Sequence, residues 1–151
     1  MIVVNRHDEV GAWVAERTDG QWVPGEGTAV GFTKDDILIA GVTYTRWNGA
    51  NVWSSIASID RRWCNRTNLW AIFHYPFVQL GCGRMTALVK ETNTVSQRFL
   101  SKLGFVREAT LADAAPDGDL YVYRLLKDDC KWLSNQRWVP HEQRRQATEI
   151  S

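Results

Sequence analysis

The chain has little cysteine. Its three, Cys64, Cys82 and Cys130, are odd in number and widely spaced, with no CxxC or Cys/His ligand spacing around them. They read as reduced thiols and exclude both a disulfide framework and a zinc site. No metal is expected. Long apolar runs are also missing. With no stretch of about 18 apolar residues, no transmembrane helix is expected. The leading MIVVNRHDEV has no charged start followed by a long apolar core, so it does not read as a secretory signal. Together these point to a cytoplasmic protein. Neither sign of charge prevails, since 18 basic residues face 17 acidic ones for a net charge of +1. That balance leaves no electrostatic footprint for nucleic acid or an anionic membrane, and neither is expected as a partner. No Ser/His/Asp or Cys/His arrangement is discernible, so hydrolase chemistry has no support.

The 151 residues, 44% hydrophobic and 23% charged, suit one domain around one core. Eight tryptophans are many for this length. Most should pack the interior, and some can line a substrate groove.

Apolar Ile2 to Val4 predicts a short edge strand. Val10, Trp13, Val14 and Arg17 recur at helical spacing after a cap at Asn5 or Asp8, and Thr18-Asp19-Gly20 ends that helix. Three strands follow in an antiparallel meander: Thr28 to Lys34, Ile37 to Trp47, and Asn51 to Ile59. Asn48-Gly49 marks a two-residue hairpin between the last two. Asp60 to Arg66 is polar and basic. Thr67 or Asn68 then caps a helix with Leu69, Ile72, Phe73, Phe77 and Leu80 on its apolar face, kinked at Pro76 and stopped at Gly81 and Gly83. Strand Arg84 to Val89 leads to a second helix from Asn93-Thr94, with Val95, Phe99, Leu100 and Leu103 on its buried side and Gly104 at its end. Strands Phe105 to Leu111 and Leu120 to Leu126 flank a turn at 115–119. A short helix is expected near Lys131 to Leu133. The domain is expected over residues 1–134, with a C-terminal tail over 135–151 that is either flexible or docked on another subunit, so a homodimer stays open. The order β-α-β-β-β-α-β-α-β-β is neither simple βαβ alternation nor all-β. It fits an α/β (α+β) class with a mixed central sheet and helices on both faces.

Two segments carry chemistry. The loop from Asp60 to Thr67 precedes a helix N-terminus, where free N–H groups and the positive end of the dipole favour phosphate, and Arg61, Arg62 and Arg66 add charge. Asn93 opens a helix, where it can cap free N–H groups and bond an amide-bearing ligand.

Asn93-Thr94-Val95-Ser96-Gln97-Arg98-Phe99-Leu100-Ser101-Lys102-Leu103-Gly104-Phe105 resembles the N-x-x-S-x-R-Φ-x-x-K-x-G-F signature of the GNAT (GCN5-related) N-acetyltransferases. It is nearest to their ribosomal-protein N-terminal acetyltransferase branch. Phe105-Val106-Arg107-Glu108 and Gly118-Asp119-Leu120-Tyr121-Val122-Tyr123 continue the likeness. Phe73-His74-Tyr75-Pro76-Phe77 beside the signature looks like acetyltransferase-like proteins of phage and prophage origin. The likeness spans roughly residues 28–126.

The resemblance implies a GNAT fold and transfer of an acetyl group from acetyl-CoA to an amine: a protein N-terminus, a lysine or a small molecule. It implies that Ile59, Asp60, Arg61, Arg62, Trp63, Cys64, Asn65, Arg66 and Thr67 cradle acetyl-CoA, with Asn93, Phe99 and Lys102 on the helix. It makes Ser96 and Asn93 the catalytic candidates, because Leu100 stands where many family members carry an acidic tyrosine. It also implies a bulge in the Asn51–Ile59 strand that turns a backbone N–H toward the thioester oxygen. The chain departs from the family's R/Q-x-x-G-x-G/A loop by holding Trp63 and Asn65 at the glycine positions. That departure motivates a second reading, a GNAT-fold binding or phage structural protein without turnover. His74 is expected on the helix surface or filling the kink. Tyr121 and Tyr123 share one face of the last strand, as a groove border or as core.

Overall fold

The computed structural model describes residues 1–134. The elements are β1 (Ile2–Val3), α1 (His7–Arg17), β2 (Gly27–Lys34), β3 (Ile37–Thr45), β4 (Asn51–Ser58), α2 (Arg66–His74), β5 (Arg84–Lys90), α3 (Thr94–Leu103), β6 (Val106–Ala115), β7 (Gly118–Leu126) and α4 (Lys131–Ser134). The order is the one expected from the sequence. The sheet has seven strands in the order β1-β2-β3-β4-β5-β7-β6. Every neighbouring pair is antiparallel except β4–β5. The tail expected over residues 135–151 lies outside the described residues.

Strand alternation sends successive side chains to opposite faces of this sheet. On one face, Val10 and Val14 of α1 lie over paired Gly31 and Gly41, so close that a Cβ on Gly41 would stand 2.6 Å from a Val14 methyl. Only glycine allows that approach. Ala29, Leu38 and Ala57 complete this smaller core. On the other face, α2, the turn that continues it, and α3 bring Phe73, Phe77, Leu100 and Leu103 against Val42, Val52, Met85 and Leu125 in the main core.

Local chemistry shifts several boundaries. Neither Asn5 nor Asp8 caps α1, whose N-cap position is Arg6 with no side-chain bond. Asp8 instead accepts from Trp22 Nε1 and Gly25 N. The β3–β4 connection runs over residues 46–50 rather than two residues, because Arg46 already takes a φ of 54° and Asn48 Oδ1 accepts from both Ala50 N and Asn51 N. The cap of α2 is Asn65, not Thr67 or Asn68, and its side chain accepts from Asn68 N.

Pro76 does more than kink α2. The helix widens to a π-turn over Tyr75–Gln79, closed by Leu80 N to Tyr75 O. Proline has no N–H for the carbonyl four residues earlier, Ile72 O. Tyr44 OH, arriving from β3, donates to that carbonyl at 2.7 Å. Val95 is 76% exposed and does not join the buried side of α3. At about 100° per residue, Ser96, Leu100 and Leu103 share an arc from whose centre Val95 lies about 110° away.

Candidate functional site

β4 and β5 pair only over Asn51–Trp53 and Arg84–Thr86. Beyond that point they part, and a narrow cleft of about 30 Å³, open to solvent, lies between them. Ser54, Ser55 and Ile56 form its β4 wall, and Ala87, Leu88 and Val89 its β5 wall. The cleft passes through the sheet. Ser96, Phe99 and Leu100 of α3 line it on one face, and Thr18 and Asp19, just past α1, on the other.

The two serines separate those faces. Ser54 pairs with Tyr44, which points to α2, and Ser55 pairs with Thr43 on the α1 side. The expected bulge in β4 is absent: Ala40↔Ser58 through Thr45↔Trp53 keep one unbroken register. Strand divergence, not a bulge, leaves the β4 edge unpaired there. Ser55 N donates sideways to Thr43 Oγ1 at 3.1 Å, so by alternation the N–H groups of Ser54 and Ile56 turn toward the β5 side, where no β5 residue is paired. Ser54 Oγ is buried and has no hydrogen-bond partner.

On α3, Asn93 is the N-cap, its Oδ1 accepting from Ser96 N at 3.1 Å, while Gly104 ends the helix at a φ of 110°. Asn93 Nδ2 also donates to Asp19 Oδ2 at 3.4 Å. Ser96 and Phe99 reach the cleft. Lys102 is exposed and is not among the residues that line it.

The basic loop is only partly a phosphate cradle. Asp60 accepts from the backbone N and the guanidinium of Arg62, and this pairing holds its carboxyl down to about 2. Arg62 is thereby largely neutralised. The N–H groups of Cys64 and Asn65 are spent on Arg61 O and Trp63 O, and Asn68 N on the Asn65 cap. Ile59 is exposed, and its N–H donates to Ile39 O. Trp63 turns inward. It is 2% exposed, packs against Phe32 with ring centroids 5.1 Å apart and edge-on to Phe99, and donates Nε1–H to Ser58 Oγ at 2.8 Å. The Cys64 thiol is half-buried and pushed up by desolvation. Arg61 is exposed in the turn before α2, and Arg66 and Thr67 are exposed at its start, where the first backbone N–H groups have no intrahelical acceptor.

The unpartnered Ser54 hydroxyl and the unpaired strand edge are chemically suited to the polar thioester end of an acyl-CoA. The loop suits a pyrophosphate less fully, since its Cys64, Asn65 and Asn68 N–H groups and the Arg62 guanidinium are already engaged.

Other candidates fall elsewhere. His74 is buried, not on the surface, and stacks on Trp70 at 4.3 Å; desolvation lowers its pKa. Tyr123 is core, and Tyr121 packs beside that core under Arg107, on the α2–α3 face. The three cysteines are free thiols. Among the described residues no His, Cys, Asp and Glu group could hold a metal ion, and no helix is long and apolar enough to cross a membrane. Sequence reasoning missed Asp19, which it took for a helix stop, and Ser54-Ser55. Two adjacent serines in a strand otherwise rich in apolar residues were the available signal.

A spermidine/spermine N-acetyltransferase SpeG from Vibrio cholerae superposes with a TM-score of 0.66 at 13% identity, over 89% of this chain and 97% of that one. A GNAT-family acetyltransferase from Bacillus anthracis gives 0.54 at 20% identity, over 68% and 67%. The chain has the GNAT acetyltransferase fold. A Vibrio cholerae spermidine N-acetyltransferase in complex with CoA and spermine gives 0.57 at 16% identity, over 70% and 68%. No family model and no curated protein matches the chain. At these identities the likeness establishes the fold, and the activity is argued from the cleft.

Proposed function

We propose that the protein is an acyl-CoA-dependent N-acetyltransferase that acetylates an amine. The observation that carries this reading is the through-sheet cleft, walled on one side by the Asn93–Phe105 signature helix and on the other by an unpaired strand edge. Acetyl-CoA supplies an activated thioester there. Direct transfer forms the amide C–N bond, breaks the C–S bond and returns a proton to the sulfur. The β4 edge at Ser54 and Ile56 offers N–H groups to the oxyanion that develops on the carbonyl. Ser96, whose own N–H is held by the Asn93 cap, offers its hydroxyl to the leaving sulfur as a donor or proton relay. Phe99 supports the pantetheine arm, while Arg61, Arg66 and Thr67 meet the pyrophosphate.

In the same reading residues 1–134 form the transfer domain. The Asn93–Phe105 signature supports kinship with the ribosomal-protein N-terminal acetyltransferase branch and phage-type relatives, acting in the cytoplasm.

The loop favours one alternative, a GNAT-fold binding protein without turnover. Asp60 offsets Arg62, and Trp63 and Asn65 stand where the family's glycines would let backbone approach phosphate. Thiol release from acetyl-CoA, measured against a panel of amines, separates the two. Release dependent on the amine supports transfer. Saturable acetyl-CoA binding with no release under any amine supports the alternative.

A further inference from the structure

Among the described residues, every buried Ser or Thr hydroxyl except one has a partner. Thr33 Oγ1 donates to Met1 O, Thr43 Oγ1 accepts from Ser55 N, and Thr86 Oγ1 donates to Asn51 Oδ1 at 2.7 Å. Ser54 is the exception. It is 6% exposed, and its Oγ bonds to nothing among the described residues. Packing does not call for a hydroxyl there. By alternation Val52, Ser54 and Ile56 share one face of β4, and the neighbouring strands bring Val42, Tyr44, Ala87 and Val89 to the same core. Alanine would fill nearly the same space with no polar atom to desolvate, so the hydroxyl costs the free chain stability. Its position points to a ligand. Ser54 lines the cleft with Ser96, Phe99 and Leu100, on the α2–α3 face. Its backbone N–H lies in the plane of the sheet and turns toward the β5 side, where no β5 residue is paired. The side chain stands out of that plane. One residue thus presents two donors roughly at right angles. A carbonyl oxygen has two lone pairs and can accept both.

We propose that the Ser54 hydroxyl binds the carbonyl oxygen of the acyl thioester, beside the strand's own N–H, and so makes the cleft select an acylated donor. Ser54 has no covalent part in the reaction. Its hydroxyl donates a hydrogen bond and keeps its proton, while the amine attacks the carbonyl carbon, the C–S bond breaks and the sulfur takes up a proton. A serine becomes a nucleophile only with a base beside it. Among the described residues that line the cleft there is no histidine, and the one carboxylate, Asp19, stands on the opposite face. As charge develops on the carbonyl oxygen, a donor already in place and shielded from water gains strength. The stability that the buried hydroxyl costs the free chain is offset when the thioester arrives.

This inference rests on the acyl-CoA reading of the cleft, and its test keeps the two apart. Calorimetry on the full chain compares acetyl-CoA with S-ethyl-CoA, the thioether that keeps both carbons and lacks the carbonyl oxygen. The wild type should bind acetyl-CoA roughly fivefold more tightly, as for one neutral hydrogen bond. Ser54→Ala should lose that preference, with acetyl-CoA weakened roughly fivefold and S-ethyl-CoA within about twofold of the wild type. Its urea midpoint should be unchanged or raised, because an orphan hydroxyl is gone. No preference in the wild type, or one that survives in Ser54→Ala, would overturn the assignment. An equal loss of both ligands would also overturn it, by placing the hydroxyl on an amide of the pantetheine arm. So would a lowered midpoint, which would reveal a partner already present in the free chain. A wild type that binds neither ligand would overturn the acyl-CoA reading together with this one. The predicted preference without thiol release under any amine would remove turnover alone and leave Ser54 its role in binding.

Discussion

At the scale of single residues, the cleft and the core make opposite demands on polar side chains. Ser96 is half-buried at the cleft, and its backbone is already satisfied by Asn93, so its hydroxyl is not needed to start α3. Ser96→Ala should therefore lower kcat roughly 100-fold while acetyl-CoA affinity stays within about twofold, as for loss of a group acting on the reacting atoms. Equal losses in turnover and affinity would make Ser96 a structural residue. His74 shows the other case. Its Nε2 is buried without a partner, and desolvation holds its pKa below the usual value of about 6.5. The unfolded chain thus binds a proton that the native state resists. Stability is present above about pH 6.5 and is lost as pH falls from there toward the lowered native value. His74→Phe keeps the stack on Trp70 and removes the orphan nitrogen. It should raise stability by about 1 kcal/mol at neutral pH and flatten the acid limb of a urea-melt series. An unchanged acid limb would show that another group sets it.

At the scale of elements, what was legible in the sequence is what local pattern dictates. The strand and helix order, the Asn93 cap and the Gly104 stop follow from spacing within a dozen residues, and all stand in the structure. What was missed depends on contacts between distant segments. Asp19 reads as a helix stop until folding sets it beside Lys90 and Asn93, more than seventy residues on. Trp63 reads as part of an exposed basic loop until Phe32 and Phe99 enclose it. The β4 opening comes from where β5 leaves the pair, which β4's own sequence does not record. The π-turn is an intermediate case. Proline announces a broken bond, but only the fold shows Tyr44 supplying the missing donor. The Tyr44 hydroxyl is fully buried, and desolvation raises its pKa well above the usual range, so it stays a protonated donor at any working pH. Tyr44→Phe would leave Ile72 O buried and unpaired, and should cost about 1–3 kcal/mol in denaturant unfolding. A cost near zero would mean that the π-turn closes without it.

At the scale of the whole molecule, the sheet is one frame with two working faces. α1 seals β2 to β4 on one side, α2 and α3 seal the other, and the parting of β4 from β5 connects the two sides through the middle. In the proposed transferase reading, donor and acceptor meet there from opposite faces. The account's central claim is that this cleft takes the acyl donor, and isothermal titration of acetyl-CoA into the full chain tests it most directly. We predict saturable binding of one acetyl-CoA per chain, with a rise in melting temperature on saturation, and loss of both in Ser96→Trp, whose side chain fills the α3 face of the cleft. No binding heat at millimolar acetyl-CoA, or binding of equal strength in Ser96→Trp, would contradict it.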